Sequence, residues 1–298
     1  MTTSTTVALD LFINSNNPAL EPLRNGSVKI RGVDVNQLKM LNVIIPFRRL
    51  CRGEKFDISE LAVVAYFVGR RYGLRYKALP VFPAVQIDYG GGMTINKKLV
   101  QTAKDLEGKK VGIRAYTVTV TPWQGGYLAD HGCDPSKVTF VSNDEEHNNA
   151  FHPDAPKNVV YHKGADLRAM LASGELAAVF GLPPGDNPDF APLNPNSKAE
   201  GIERFKKDHV YRLIHLMTIH DSVLEQNPRI LRATYDAFKE AKEIYLADKG
   251  AIEPWEDPMP MGMDETRKSL EVLMTHAVNH GVLDKPLDLE QLFPGNFN

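Results

Sequence analysis

The sequence predicts a layered α/β fold. Segments with the apolar pattern of β-strands alternate along the chain with segments that have helical spacing, and this alternation is typical of parallel sheets covered by helices. The 298 residues are enough for two medium domains with separate cores. A content of 43% hydrophobic and 24% charged residues excludes a disordered or collagen-like chain.

Strands are predicted wherever short apolar runs end in turn residues. Residues 7–13 are rich in strand formers, residues 28–35 alternate, and residues 77–82 form a short strand that we expect Pro83 to stop. The same criteria predict strands at residues 90–96, just after Gly108, at 138–141, at 176–180 and at 213–219.

Helices are predicted by apolar spacing together with capping residues. Residues 56–61 predict the end of a strand that runs into a helix, which Asp57 or Ser59 can cap, and residues 61–67 are apolar on nearly every face, as in a buried helix. Further helices are predicted at residues 123–131, 165–173, 227–246 and 264–280, and a long surface loop at 182–197.

Charge and cysteine content exclude several classes of protein. With 35 basic and 37 acidic side chains, the formal net charge of −2 provides no positive field for nucleic acid. Cys51 and Cys133 are the two cysteines, too few for a disulfide framework, and no secretory pattern opens the chain, so we expect a cytoplasmic protein. The longest apolar stretch, 61–68, is less than half of the roughly 20 residues that cross a membrane.

Familiar catalytic motifs are missing from the sequence. It contains neither a phosphate-binding loop nor a dinucleotide-binding glycine motif. His276 and His280 share a predicted helix face, but without the glutamate of a zinc protease motif we expect one partly exposed and one helix-capping histidine. The acidic run 144–147 favours a solvated loop over a metal site, so no metal is predicted.

Basic and hydroxyl residues lie at the predicted ends of elements, where they suit a ligand that carries carboxylates. At helical spacing Arg48 or Arg49 would share a face with Arg52, and the alternative for Arg48 and Arg49 is simple surface charge. Arg114 follows a buried strand, where structural ion pairing and ligand binding both remain open. Three threonines precede the helix at 123, and they either cap it or help to bind an anion there; they are Thr117, Thr119 and Thr121.

Three motifs carry a resemblance to a known family. They are Phe-Asp-Ile-Ser-Glu-Leu at 56–61, Leu-Pro-Val-Phe-Pro at 79–83 and Asp-Leu-Glu-Gly-Lys-Lys-Val-Gly-Ile at 105–113, and similarity continues to 289–293. The chain thereby resembles the 4,5-dihydroxyphthalate decarboxylase family, within the wider group that has the type II periplasmic-binding-protein fold. The first two motifs are selective for the decarboxylases, whereas the third is widespread among solute-binding proteins.

This resemblance implies an architecture of two α/β lobes joined by two crossing hinge strands. The implied crossings lie near residues 92–96 and 213–219. One lobe would combine 1–92 with 217–298, the other would be 93–216, and the ligand would bind in the cleft between them.

The activity implied by the resemblance is decarboxylation of a hydroxylated aromatic carboxylate such as 4,5-dihydroxyphthalate, as part of phthalate degradation and without a cofactor. Ring protonation needs an acid, and His215 is the first candidate, although a satisfied core histidine is the alternative. The predicted catalytic residues are His215, Glu60 and Asp57, and the predicted substrate-binding residues are Arg49, Arg52, Ser59, Arg114, Thr117, Thr119 and Thr121.

A competing hypothesis is a solute-binding protein or sensor that captures a small carboxylate and performs no chemistry, because fold alone does not decide function. The expected partners are otherwise limited to the small aromatic carboxylate and a homo-oligomer, with oligomeric state left open. Neither nucleic acid nor a membrane is expected.

Overall fold

The computed structural model describes residues 6–297, and its contacts divide them into two compact units. Unit 1 comprises the chain up to Gln86, Leu213–Ser269 and the residues from Leu287 onward; unit 2 comprises Ile87–Arg212 and Leu270–Pro286. The predicted lobes differ from these units, because the division falls at 86/87 and 212/213 and because residues 270–286 group with unit 2.

Strands and helices alternate along the described chain. The strands are β1 Val7–Phe12, β2 Val33–Leu38, β3 Ile58–Ala62, β4 Tyr76–Gln86, β5 Met93–Asn96, β6 Lys110–Ile113, β7 Thr139–Ser142, β8 Val159–Tyr161, β9 Ala178–Phe180, β10 Phe190–Pro192 and β11 Arg212–His220. The helices are α1 Glu21–Arg24, α2 Ile44–Cys51, α3 Val63–Arg71, α4 Val120–Asp130, α5 Leu167–Ser173, α6 Ser197–Asp208, α7 Asp221–Gln226, α8 Arg229–Lys249, α9 Met263–Asn279 and α10 Leu289–Leu292.

Unit 1 is built on a five-stranded sheet in the order β2-β1-β3-β11-β4. Strand β1 is parallel to β2 and β3, whereas β11 is antiparallel to β3. The sequence predicted parallel sheets, and β11 departs from this prediction because it runs antiparallel to β3.

The core of unit 1 confirms the helical pattern predicted for 227–246. Helix α8 buries Ile230, Tyr235 and Phe238 in the core, whereas Lys239 and Glu240 are exposed. Each large apolar side chain buried in this way contributes about 2 kcal/mol to stability. Helix α3 is buried along nearly its whole length, as its apolar sequence predicted.

Unit 2 contains a six-stranded mixed sheet in the order β10-β5-β9-β6-β7-β8. Strand β6 is parallel to β7 and β9, and β7 is parallel to β8, whereas β5 is antiparallel to β9 and β10. The segment predicted as a long loop at 182–197 contains β10, and helix α6, which follows it, was not predicted.

Two local predictions are wrong for reasons visible in the sheets. Pro83 does not stop β4, which continues to Gln86; β4 lies at the end of its sheet, where a proline costs no ladder hydrogen bond. Asp57 and Ser59 do not cap a helix, because β3 runs to Ala62, and Ala62 is the residue that precedes α3.

No helix within residues 6–297 is both long and apolar enough to cross a membrane.

Within unit 2, two histidines from the end of α9 pack against two glycines of α4. A Cβ atom built on Gly125 would lie 1.4 Å from Nε2 of His280, and one built on Gly126 would lie 2.4 Å from Nε2 of His276. Only glycine leaves room for imidazole rings this close to a helix backbone. Burial lowers the pKa of both histidines to about 4.

We expect this packing to make unit 2 sensitive to acid. Because the pKa of His280 falls from 6.5 to about 4 on folding, the unfolded chain takes up the proton first as the pH drops. The contribution of His280 to the free energy of unfolding should therefore decrease between pH 6.5 and 4, by on the order of 1 kcal/mol per pH unit, and level off below pH 4. Urea unfolding monitored across this range measures the slope.

The matched variants are His280→Gln, which should flatten the acid-dependent part of the slope, and His162→Gln, an exposed position that should leave it unchanged. An equal slope in all three proteins would contradict the assignment.

Candidate active site

A buried carboxylate lies at the centre of the sheet in unit 1. Glu60 belongs to β3, and its side chain is fully buried. Just beyond β1, the backbone N–H groups of Asn14 and Ser15 donate to its Oε2 at 2.7 and 2.8 Å. The Ser15 hydroxyl donates to Oε1. Because β1 and β3 are parallel neighbours, the turn that leaves β1 reaches the carboxylate on β3 directly.

The imidazole of His215 completes the surroundings of Glu60. Its Nδ1 lies 2.5 Å from Oε1 of Glu60, and the side chain keeps 16% of its surface exposed. The register of β3 and β11 explains the contact: His215 is opposite Ala62, two residues from Glu60, so both side chains project from the same face of the sheet. The ring of Phe47 packs edge-on against the imidazole at 5.0 Å.

The protonation state of Glu60 follows from these neighbours. Burial alone would raise the pKa of its carboxyl group. The hydrogen bond and the charge of His215, with the hydrogen bonds from Ser15 and Asn14, outweigh burial and hold the pKa of Glu60 below its ordinary value. The pair is therefore a carboxylate that orients an imidazole, an arrangement suited to proton transfer through Nε2.

The other residues predicted on β3 are placed differently. Asp57 precedes the strand; its Oδ2 accepts the N–H of Asp10 at 3.0 Å, and its Oδ1 lies 2.8 Å from Nζ of Lys55. Ser59 is buried on the face of the sheet opposite to Glu60, and its hydroxyl donates to the Glu60 carbonyl oxygen. The structure brings together Glu60 and His215 but pairs Asp57 with a lysine.

The predicted arginines of unit 1 lie on and just after α2. Arg49 is exposed and ion-paired with Glu54 through two nitrogens, and its guanidinium carbon lies 5.8 Å from the centre of the Phe56 ring. Arg52 occupies the position that ends α2 and is exposed. The exposed ion pair of Arg49 with Glu54 corresponds to the alternative in which this arginine is a surface charge.

In unit 2, the predicted anion site at the start of α4 is occupied by an internal carboxylate. Glu146, which is 2% exposed, accepts the N–H groups of Tyr116 and Thr117 at 2.7 and 2.9 Å. It also accepts the hydroxyl of Thr117 and, at 3.1 Å, that of Tyr161. Backbone N–H groups and a threonine hydroxyl do bind an anion here, but for Thr117 that anion is the side chain of Glu146.

The other two threonines are buried and do not cap α4 with their side chains. Thr119 precedes the helix but makes no capping hydrogen bond through its hydroxyl, and Thr121 donates its hydroxyl to the Ala115 carbonyl at 3.2 Å. The predicted side-chain cap is therefore wrong: Thr119 does not provide it, and Thr121 lies inside α4, where its hydroxyl bonds back to the segment before the helix.

Arg114 lies directly after β6, and about a third of its side chain is exposed. Its Nη1 is 3.6 Å from Oδ2 of Asp144, and its Nη2 is 3.3 Å from Nε2 of His147. The sequence left ion pairing and ligand binding open for this residue, and the structure shows a loose ion pair with Asp144.

Sequence reasoning missed two buried polar residues, Ser15 and Glu146. Ser15 lies in a segment that the sequence marks only as a turn, and the signal for its role was a hydroxyl just after a strand. Glu146 belongs to the acidic run interpreted as a solvated loop, but Glu146 and His147 are each 2% exposed. Within residues 6–297, no cluster of three or more histidine, cysteine or acidic side chains has the geometry to hold a metal ion.

Comparison with known proteins finds two relatives by sequence, whereas no protein-family profile matches the chain. A 4,5-dihydroxyphthalate decarboxylase of Pseudomonas putida is 34% identical over 171 residues, which are 54% of this chain and 66% of the relative, just under two thirds of its length. A 4,5-dihydroxyphthalate decarboxylase of Comamonas testosteroni is 24% identical over 268 residues, covering 85% of this chain and 81% of the relative.

Solved structures show the fold. The periplasmic aliphatic sulphonate binding protein SsuA of Escherichia coli superposes with a TM-score of 0.58 at 11% identity, covering 98% of this chain and 94% of SsuA. A DszB variant bound to biphenyl-2-sulfinic acid gives 0.56 at 14% identity, with 96% of each chain covered. A Candida albicans protein with the generic periplasmic binding protein fold gives 0.54 at 13% identity, covering 98% of this chain and 97% of that one.

Both resemblances predicted from the sequence are thereby confirmed: the chain is a relative of the 4,5-dihydroxyphthalate decarboxylases and has the fold of the periplasmic binding proteins.

Proposed function

We propose that this protein is a carboxy-lyase that removes carbon dioxide from a hydroxylated aromatic carboxylate, with 4,5-dihydroxyphthalate as the first substrate to test. The two sequence relatives carry this activity in their names. The observation that carries the proposal is the contact of 2.5 Å between Glu60 and His215, because decarboxylation of a phenolic acid without an electron sink requires a group that protonates the ring.

The proposed reaction begins at the phenol oxygen para to the departing carboxylate. As solvent takes the phenol proton, the electron pair of the O–H bond moves into the ring, and Nε2 of His215 donates a proton to the ring carbon that bears the carboxylate. The resulting dienone then loses carbon dioxide: the bond between ring and carboxylate breaks, its electron pair restores the aromatic ring, and the phenolate that forms takes up a proton from solvent. One proton from solvent is consumed for each carbon dioxide released, so the imidazole is recharged once per cycle.

Glu60 supports this chemistry by staying ionised. A carboxylate on Nδ1 stabilises the imidazolium before proton transfer and holds the ring so that Nε2 is the nitrogen that exchanges the proton. Asp57 was the other predicted acid or base; its ion pair with Lys55 leaves Glu60 the better candidate. Arg114 belongs to unit 2, and its predicted role is proposed separately: its partly exposed guanidinium can bind a carboxylate.

A second candidate function is reversible binding of a small carboxylate without turnover. The fold shared with the sulphonate-binding SsuA favours it. The two functions differ in whether carbon dioxide is released, which can be measured directly.

Incubation of the purified protein with 4,5-dihydroxyphthalate in deuterium oxide should release one carbon dioxide per substrate and leave a dihydroxybenzoate with a single deuterium on the carbon that lost the carboxylate. Gas detection and mass spectrometry of the product measure both. Tight binding with no gas from this compound or related hydroxybenzoates would assign the chain to the binding-protein class.

Substitution of the pair should affect turnover more than affinity. We expect His215→Gln to lower kcat by about 10²- to 10⁴-fold with little change in KM, because a general acid acts in the transition state. Glu60→Gln should lower kcat by a smaller factor, since the imidazole remains. His131→Gln, a histidine at the exposed end of α4, is the control and should keep full activity. A fully active His215→Gln variant would remove the proposed acid.

The role of Arg114 is tested by affinity instead. Arg114→Ala should raise KM for a dicarboxylate by about tenfold or more, because a charged hydrogen bond contributes about 1.5–3 kcal/mol, with a smaller change in kcat. Arg75→Ala, which removes an exposed arginine paired with Glu225, is the matched control. Equal KM values for both variants would mean that Arg114 has only its structural ion pair.

A further inference from the structure

The turn that follows β1 places a hydroxyl group on the Glu60–His215 pair. Ser15 is 8% exposed, and it makes two hydrogen bonds to Glu60: its N–H donates to Oε2 at 2.8 Å, and its hydroxyl donates to Oε1. The same hydroxyl oxygen lies 3.5 Å from Nδ1 of His215. Ser15 therefore contacts both Glu60 and His215. Its hydroxyl donates to Oε1 of Glu60, the same oxygen that faces Nδ1 of the imidazole.

Side chains hold the backbone of this turn on both sides. Asn17 is 6% exposed, and its Nδ2 donates to the carbonyl oxygens of Pro83 at 2.9 Å and Pro258 at 2.6 Å. Arg24 of α1 donates to the carbonyl oxygens of Asn17 and Ser15. The backbone of the turn is thus tied to α1, to β4 and to the segment before α9, which keeps the Ser15 backbone beside Glu60.

The hydrogen bonds that Glu60 accepts show what the Ser15 hydroxyl contributes. An ionised carboxylate has about four acceptor positions. Oε2 accepts the N–H groups of Asn14 and Ser15, while Oε1 accepts the Ser15 hydroxyl and faces Nδ1 of His215. An ionised carboxylate can only accept, so the imidazole that faces Oε1 must donate to it as well. This fixes Nδ1 as a protonated nitrogen and leaves Nε2 as the nitrogen that can exchange a proton.

We infer that Ser15 is a positioning residue for proton transfer by His215, which it aligns by saturating the Glu60 carboxylate. The inference rests on the proposed function and adds a residue that sequence motifs did not indicate. Ser15 is not itself the proton donor to substrate, since its hydroxyl proton is committed to Oε1.

The charged groups around the pair are few and come from several elements. Arg24 approaches from α1 through the backbone of the turn, and Lys55 and Asp57 form their own ion pair at the start of β3. Helix α2 contributes the uncharged ring of Phe47. Among the described residues, the hydrogen bonds of Ser15 and Asn14 and the contact with His215 are thus the main local influences that keep Glu60 ionised.

Unit 2 contains a similar arrangement of hydrogen-bond donors around a buried carboxylate, but without an imidazole. Glu146 is held by two consecutive N–H groups and by the hydroxyl of Thr117, but its fourth donor is the hydroxyl of Tyr161. Donors from the backbone and from a hydroxyl thus surround a buried carboxylate in each unit. Among the contacts of the described residues, the imidazole of His215 is what distinguishes Glu60 from Glu146.

The test compares Ser15→Ala with Ser15→Thr, which restores the hydroxyl, and with Thr266→Val, which removes a buried hydroxyl of α9 that donates to the Gly262 carbonyl. For Ser15→Ala we expect kcat to fall about ten- to a hundredfold with KM nearly unchanged. The acid limb of the pH profile of kcat/KM should move to higher pH, since one group that favours the ionised Glu60 is gone. Ser15→Thr should recover most of both quantities, and Thr266→Val should change neither.

A second readout does not depend on turnover. Titration of the Glu60 carboxyl carbon by ¹³C NMR, assigned with Glu60→Gln, should show the Glu60 pKa higher in Ser15→Ala than in the unaltered protein. If the unaltered protein releases no carbon dioxide, the proposed function fails, while this shift still establishes the coupling of Ser15 to Glu60. If it does release carbon dioxide and Ser15→Ala changes neither the titration nor the pH profile, the inference is overturned and the proposed function stands.

Discussion

The burial of one ionised carboxylate constrains much of unit 1. Glu60 has no exposed side-chain surface, and an isolated charge in such a place would cost several kcal/mol. That cost is offset only because donors from the turn after β1 and from β11 converge on its two oxygens. A change in the position of either element would leave the charge unpaired, so the turn and the strand have to be held in register with β3.

The remaining architecture of unit 1 supplies this register. Strand β1 runs parallel to β3, which brings the turn after β1 to the level of Glu60, and β11 runs antiparallel to it, which brings His215 to the same face. The register of β11 decides which side chain reaches Glu60, because the pairing of Met217 with Glu60 makes His215 its diagonal neighbour. The buried carboxylate of Glu60 thereby orients the imidazole of His215.

A fold shared with sulphonate-binding proteins does not by itself indicate chemistry, and the two units show how the same local arrangement leads to different outcomes. In unit 2 the donors at the start of α4 hold Glu146, and the result is a buried structural link between Thr117 and Tyr161. In unit 1 an equivalent set of donors holds Glu60 against His215. The presence of a titratable ring at the fourth position is what makes unit 1 the better candidate for acid–base catalysis.

The sequence by itself determined the α/β class, most strands and helices, the family resemblance, and Glu60 and His215 as candidates, because apolar periodicity and local motifs are properties of neighbouring residues. It could not determine that β11 is antiparallel to β3, that Asp57 pairs with Lys55, or that Glu146 fills the anion site beside Thr117. It also gave no reason to single out Ser15 within its turn. These features depend on contacts between residues far apart in the chain, such as the 155 positions between Glu60 and His215. Only the pairing of strands and the burial of charge, which the tertiary structure decides, bring such residues within hydrogen-bonding distance.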